Sequence, residues 1–486
     1  MRGAKNGKKI GTKSSIAAKD VEERNRILFE SLKVKKHLYF NSSIQYCDLN
    51  IKKNIMMNNL VWFRNDLRVQ DNNSLFLATK NAKKVIGAYC LDPRQFELNK
   101  HGFKKTEKFR AKFLLETLRD LKNNLAALNI PLFIFLDTPE NALRQLVDEF
   151  AIDVIYLQKE WTPDEVKVNE NLAELIPNTK FIETHDQFLF HPDDIPYPNF
   201  EKIPEVFTEF RKKCEKECKI RPSVTVATMS KDNFIETSNV LPSLEDLGLE
   251  SFRLDKNSAF PFRGGETAAL KRVENYFFET ENLSQYKKTR NGLIGESYSS
   301  KLSAWLANGS ISARIIYWEV QNYEQQVCKN EDTYWLVFEL IWRDYFKYVS
   351  LKHGDKIFKI DGILGNQYEW KSNDKAFREW KNGNTREPFV NANMIELQRT
   401  GFMSNRGRQN VASFWAKEWE QDWRIAAKYF ESMLIDYDVH SNYGNWMYNA
   451  GVGNDPRDRK FNIKRQAEMY DANGKYQKLW LNPDLF

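Results

Sequence analysis

The sequence lacks most of what would tie it to a membrane, a secretory route or a metal. No apolar run approaches the ~18 residues that suggest a bilayer span, so no membrane partner is expected. Only five cysteines occur, Cys47, Cys90, Cys214, Cys218 and Cys328. An odd, scattered set of that kind does not make a disulfide framework. Cys214 and Cys218 in KKCEKECK share one helical face, but no nearby His or Cys pair completes a zinc site, and no metal is expected. No acidic residue precedes Asp20, and no apolar segment follows the basic start, which excludes a secretory signal.

The body of the chain also lacks net charge. Of the formal +7, residues 1–58 carry 13 Lys/Arg against 5 Asp/Glu, and the remainder holds 60 against 61. A nucleic-acid partner therefore has to be argued from a local basic patch. The acid-poor, Lys- and Ser-containing leader fits an organelle transit peptide, a nuclear address and a solvated tail alike. An intracellular location is expected, with mitochondrion, chloroplast, nucleus and cytoplasm all open.

What is present is an aromatic-rich globular composition, 42% apolar with 13 Trp, over 486 residues, enough for two or three domains. Order is expected from Asn59. NNLVWF, KKVIGAYCLDP, IPLFIFLDTP and IDVIYLQKEW read as buried strands. EKFRAKFLLETLRDLKNNLAAL and PENALRQLVDEF read as amphipathic helices between them. This alternation predicts a parallel, doubly wound α/β domain over residues 59–190. No GxGxxG or Walker loop follows its first strand, so the usual dinucleotide and triphosphate readings lose support. Residues 191–263, Pro-rich and weakly periodic, read as a long connector, and 264–486 as an all-α domain.

Four segments of the helical half carry chemistry. SYSSKLSAWLANGSIS crowds hydroxyls and Lys301 at a helix start, where free N–H groups would take a phosphate, although plain capping explains serines there too. In EDTYWLVFELIWRDYFKYVSL, Glu339 and Arg343 stand four apart beside an aromatic stripe, as an i,i+4 pair or as partly buried charge with a task. GFMSNRGRQNVASFW places Asn405, Arg406 and Arg408 at a helix N-terminus, where the dipole disfavours cations unless something negative offsets them. Asp436 and Asp438 in MLIDYDVHSNYGNWMYNAGVGNDP are candidates, and that stretch, poor in helix formers, is expected to be irregular.

Taken in order over residues 59–486, WFRNDLRVQDN, YKKTRNGLIG, ELIWRDYF, TGFMSNRGRQNVASF, DWR and LIDYDVHSNYGNWMYNAGVGNDPR resemble the photolyase/cryptochrome family. The last three resemble its cryptochrome-DASH branch. The resemblance implies an N-terminal α/β antenna domain and a C-terminal helical domain holding bent FAD. It assigns Tyr286 and the segment Ser299, Ser300, Lys301, Leu302 and Ser303 to the FAD phosphates, and Arg343, Asn405 and Arg408 to the flavin pocket. Asp436 would pair with Arg408, Asp438 would meet the isoalloxazine edge, and Asn442 would face flavin N5, with glycines letting backbone approach the ring. Trp446, Trp423 and Trp380 match a three-ring electron relay from flavin to surface.

The activity implied is light-driven splitting of cyclobutane pyrimidine dimers by an electron from excited reduced FAD. Glu339 and Trp342 match positions that contact the dimer, and Arg290 and Arg406 positions near the DNA backbone. Gln409 and Tyr448 stand where double-strand enzymes of the family tend to carry Met and a second Trp. A thinner apolar wall favours lesions already out of a duplex, hence single-stranded or looped DNA, with RNA left open. Glu160 in YLQKEW matches the acid that binds a 5,10-methenyltetrahydrofolate antenna. The chain is expected to act as a monomer. The alternative is a blue-light receptor with little repair, against which the short stretch after the last segment speaks. A dark flavin oxidoreductase is disfavoured because no nicotinamide site is evident.

Overall fold

The computed structural model describes residues 56–80, 82–237, 240–455 and 457–482; all but the last three residues of the 1–58 leader lie outside them. Five strands, β1 (Met57–Trp62), β2 (Ala82–Cys90), β3 (Leu132–Phe135), β4 (Val154–Gln158) and β5 (Lys180–Thr184), form one sheet in the order β3-β2-β1-β4-β5. Every pairing is parallel. Side chains alternate along β1, so Val61 and Phe63 enter one apolar core and Leu60 and Trp62 another. The Asn73–Thr79 and Lys108–Ala127 helices cover the first face, and Pro139–Phe150 and Pro163–Leu175 the second. The sheet is therefore doubly wound, and its order reverses between β1 and β4, the place where such sheets bind ligands. The first strand begins at Met57, two residues before the expected Asn59.

After β5 the chain is irregular save for short helical turns and the Phe207–Glu217 helix, which buries Phe207, Phe210 and Cys214. Cys214 and Cys218 are free thiols. From Glu266 onward every element is helical, as expected. Two large aromatic cores lie in this half. The halves are joined by buried charge: Arg314 donates to Asp71 at 2.9 Å and to Asp186 at 3.1 Å, with all three side chains at most 2% exposed. At Gly309, φ is +73° and a Cβ would lie 1.9 Å from the Asn65 carbonyl oxygen, so only glycine closes this seam. Among the described residues, no helix is long and apolar enough to cross a membrane.

Candidate functional site

The Glu331–His353 helix is the spine of the site. Asn330 caps it in a reciprocal box with Thr333, and its acidic first turn suits the dipole. Glu339 and Arg343 do not pair with each other. Glu339 instead binds Arg290 at 2.5 Å, while Arg343 donates to the carbonyl oxygens of Gln187 (2.5 Å) and Leu306 (2.9 Å). Of the two readings, the i,i+4 pair fails, because Arg290 and the two backbone carbonyls engage the charges instead. Burial raises the pKa of Glu339, and Arg290 opposes the shift. Trp342, one turn on, stacks on Phe207 with ring centres 3.6 Å apart.

One turn beyond Arg343, Lys347 reaches Asp438 at 2.7 Å. Sequence reasoning missed Lys347, although its i+4 spacing from Arg343 was visible. Burial by itself would raise the Asp438 carboxyl, but Lys347, with Arg343 and His440 nearby, holds it far below the usual carboxylate range. Asp438 also accepts the Ser441 N–H at 2.7 Å, capping the Val439–Ala450 helix, which Gly451 ends at φ 76°. The stretch expected to be irregular is therefore helical over twelve residues. Burial of His440, Asn442, Tyr443 and Trp446 outweighs their weak propensities. Its glycines serve packing: a Cβ on Gly444 would stand 2.2 Å from the Phe346 ring. Asn442 is buried and donates to the Ala427 carbonyl at 3.1 Å.

The Asn405–Ser413 helix is capped by Ser404, which accepts from the Gly407 N–H. Arg408 offsets its own position there by a pair with Asp436, 2.9 Å to each carboxylate oxygen, and by donating to the Met403 carbonyl. Asn405 is exposed, as is Ser303. Lys301, at φ 63°, is buried with its Nζ lacking any hydrogen-bond partner, over the rings of Tyr298 (3.2 Å) and Phe402 (4.6 Å). Burial pushes its pKa well down; Glu396 opposes this, and Arg272 and Arg408 add to it. Arg272 itself holds the carbonyls of Ser299 and Ser300. None of Ser299, Ser300 and Ser303 caps the Ser303–Ala307 helix, whose N-cap position is the buried Leu302. An orphaned cation between two arginines, at the uncapped start of a turn, fits a bound diphosphate. The buried Tyr286 lies in the same core as Leu302.

On a neighbouring face, Arg406 donates to Gln409 (2.9 Å) and Asn291 (3.1 Å) and lies over the Tyr470 ring. Burial lowers its pKa, and Arg290 repels it further, so the two guanidiniums sit near one another. Tyr448 is half-buried beside Arg459 and Asp455. The three expected relay rings are buried at 0–2% exposure. Trp446 and Trp380 touch, centroids 6.4 Å apart, while Trp423 meets Tyr443 at 6.1 Å. Trp380 does not reach the surface as expected; it is sealed behind Trp415 and donates to the Val411 carbonyl.

At the β1/β4 reversal, Glu160 accepts hydrogen bonds from Gln158 (2.8 Å) and Asn65 (3.2 Å). Burial raises its pKa, and Arg64 opposes. Next to it, Trp161 stacks on His440 at 4.5 Å, and both rings share Ser350 Oγ, at 2.7 and 2.8 Å. The strand-end loop thus touches the residues around Asp438.

Residues 59–229 match the DNA photolyase family, and residues 335–485 the FAD binding domain of DNA photolyase. The chain is 47% identical over 429 residues to cryptochrome DASH of Gloeobacter violaceus, covering 88% of this chain and 85% of the relative. It is 43% identical to the chloroplastic/mitochondrial cryptochrome DASH of Arabidopsis thaliana, covering 87% and 75% of the two chains. The crystal structure of the Synechocystis sp. PCC6803 cryptochrome superposes with a TM-score of 0.84 at 42% identity, over 88% of this chain and 89% of that one.

Proposed function

Because the chain belongs to the photolyase/cryptochrome family, within its cryptochrome-DASH branch, and carries that family's FAD-binding domain, we propose that it is a light-driven lyase that splits cyclobutane pyrimidine dimers. The observation that carries this reading is the gathering of a half-buried carboxyl, an aromatic ring and two arginines around one region: Glu339, Trp342, Arg290 and Arg406. Two cations that repel each other are relieved by a phosphate between them, which is what a DNA backbone offers. Reduced FAD, excited by blue light, supplies the electron that opens the dimer's cyclobutane ring and receives it back.

The protein's part is to hold and surround that cofactor. Lys301 and the free N–H groups after Leu302, with Tyr286 and the nearby serines, would take its diphosphate, while Arg408, paired with Asp436, would belong to the flavin pocket. Arg343, Asn405, Asp436, Asp438 and Asn442 would frame the flavin, where Lys347 keeps Asp438 ionised and so fixes a negative edge. Trp342 would pack against the dimer and Glu339 would hydrogen-bond it. Trp446, Trp380 and Trp423 would return electrons from solution. Reversion of dimer-containing oligonucleotides in blue light and in darkness tests the reading; equal loss of dimer in both, or none in light, overturns it.

Substrate preference is read from Gln409 and Tyr448. Gln409 is engaged by Arg406 and Tyr448 lies beside Asp455 and Arg459, so neither offers a large apolar face to a flipped dimer. Flipping a lesion out of a duplex costs a few kcal/mol that unpaired DNA does not require. Repair of single-stranded or looped substrate is expected to exceed repair of matched duplex by at least tenfold at sub-saturating protein; equal rates would refute it. Glu160, at the topological reversal of the sheet, would hold a methenyltetrahydrofolate antenna, and E160Q should remove the folate band from the purified protein while leaving its flavin. The organelle label of the Arabidopsis relative supports reading the 1–58 leader as an organelle address. Fusion of residues 1–58 to a fluorescent protein should carry it into mitochondria or plastids; a diffuse signal counts against this.

A further inference from the structure

Resting on the FAD reading above, we propose that Lys301 takes up one proton as the cofactor's diphosphate binds and gives it back as the cofactor leaves. The protein then grips FAD more tightly in mild acid than in mild alkali. Geometry sets this amine apart from an ordinary lysine. Its side chain is 3% exposed, and its Nζ has no hydrogen-bond partner among the described residues. The hydroxyl of Tyr298, on the same loop, is buried without a partner as well. Two orphaned donors side by side mark a place where an acceptor belongs. The faces of Tyr298 and Phe402 favour an ammonium, but less than the loss of water disfavours it.

The charges around it are committed elsewhere. On the Glu266–Glu274 helix, Arg272 gives its N–H groups to neutral acceptors, the carbonyls of Glu296, Ser299 and Ser300 and the Asn275 amide oxygen. On the Asn405–Ser413 helix, Arg408 is paired with Asp436 at 2.9 Å. On the Pro388–Thr400 helix, Glu396 is bonded as an acid rather than as a carboxylate. Its Oε2 lies 2.5 Å from the hydroxyl of Tyr476, on the Lys475–Leu481 helix, and that hydroxyl lies 3.0 Å from Asn393 Oδ1. One hydroxyl proton cannot serve both acceptors. Asn393 keeps its amide oxygen there by donating Nδ2 to the Phe389 carbonyl at 2.7 Å. A proton on Glu396 resolves the conflict, for the acid then donates to Tyr476 and Tyr476 to Asn393.

Burial raises the Glu396 pKa in the same sense, with Tyr476, Lys301 and Arg408 opposing. A neutral Glu396 gives Lys301 no countercharge. Burial then lowers the Lys301 pKa, which Arg272 and Arg408 depress further and Asp436 supports only in part. With the site empty, the amine is the cheaper form. Beside a bound diphosphate, whose charge is negative, Lys301 regains a proton from water and donates to a phosphate oxygen.

The test dilutes the full-length, flavin-loaded protein in series between pH 6.5 and 8.5 at fixed ionic strength and reads released FAD by its fluorescence. One proton taken up per cofactor makes the dissociation constant rise about tenfold per pH unit over that window. K301R cannot shed its charge, so its dissociation constant should stay within about twofold across the same range. E396Q keeps a neutral donor towards Tyr476 and should retain the parent's slope. Circular dichroism at each pH separates release from unfolding. A parent whose affinity for FAD is flat, or a K301R that keeps the slope, overturns the proton linkage and leaves the FAD reading standing. Loss of the slope in E396Q puts the proton on the carboxyl and overturns the linkage through Lys301. A purified protein that neither carries nor takes up FAD overturns the FAD reading and the linkage with it.

Discussion

Asp438→Asn is expected to destabilise the folded protein by about 3–5 kcal/mol, because it strands a buried ammonium. Lys347 is 2% exposed and Asp438 is its ion-pair partner at 2.7 Å. Removing both charges together should be far milder, so K347M/D438N is expected to recover most of the loss. At roughly 2 °C per kcal/mol for a chain of this size, D438N alone should lower the thermal midpoint by about 6–10 °C. The sign of the pH dependence is fixed by the depressed carboxyl. Its contribution is complete above the unfolded carboxylate value of about 3.9 and is lost as pH falls towards the lower folded value. The gap between parent and D438N should thus be flat from pH 5 to 8 and shrink only below about pH 4. His440, pushed down to about 3 by burial and by Lys347, is held up in part by Asp438, so in D438N it falls further and stays neutral from pH 5 to 8 in both proteins. Midpoints measured across that range decide it; a gap that widens on acidification would contradict the assignment.

That pair also shows where the sequence was readable. β1 to β4 announce themselves because a strand covered on both faces is an unbroken apolar run. β5, KFIET, is a sheet edge with only Thr184 buried, so no such run marks it. The Val439–Ala450 helix was hidden for another reason: its Asn, Tyr and Gly residues suit packing against Phe346 and its neighbours, and propensity alone argues against it. The charge a helix N-terminus will not tolerate left Asp436 and Asp438 both open as partners; the resemblance implied the Arg408–Asp436 pair, and the fold brings those two together. Glu339 could not be matched, because its partner Arg290 lies 49 residues away and an equally plausible Arg343 stands one turn along the helix. Lone Trp positions were the least legible. Trp380 is matched to a relay by the resemblance alone, and only the ring distances set it between Trp446 and Trp415.

Glu339→Ala is expected to cut dimer splitting by roughly 10²-fold, the usual effect of losing a donor aimed at developing negative charge. In the free protein Arg290 engages Glu339 and favours its ionised form, against the burial that raises its pKa. When Arg290 turns to a DNA phosphate, that opposing influence weakens and burial prevails, so the carboxyl takes up a proton. A neutral carboxylic acid can donate a hydrogen bond to the dimer as the injected electron makes it anionic. Glu339→Gln keeps a donor of similar reach and should stay within about tenfold of the parent. Splitting by the parent should fall as pH rises through the raised carboxyl value, because the donor is lost on ionisation, whereas E339Q should be flat over the same range. Quantum yields on a dimer-containing oligonucleotide, at matched flavin content and saturating substrate, separate these outcomes. If E339A splits dimers as well as the parent, or if E339Q is as impaired as E339A, Glu339 is not the donor.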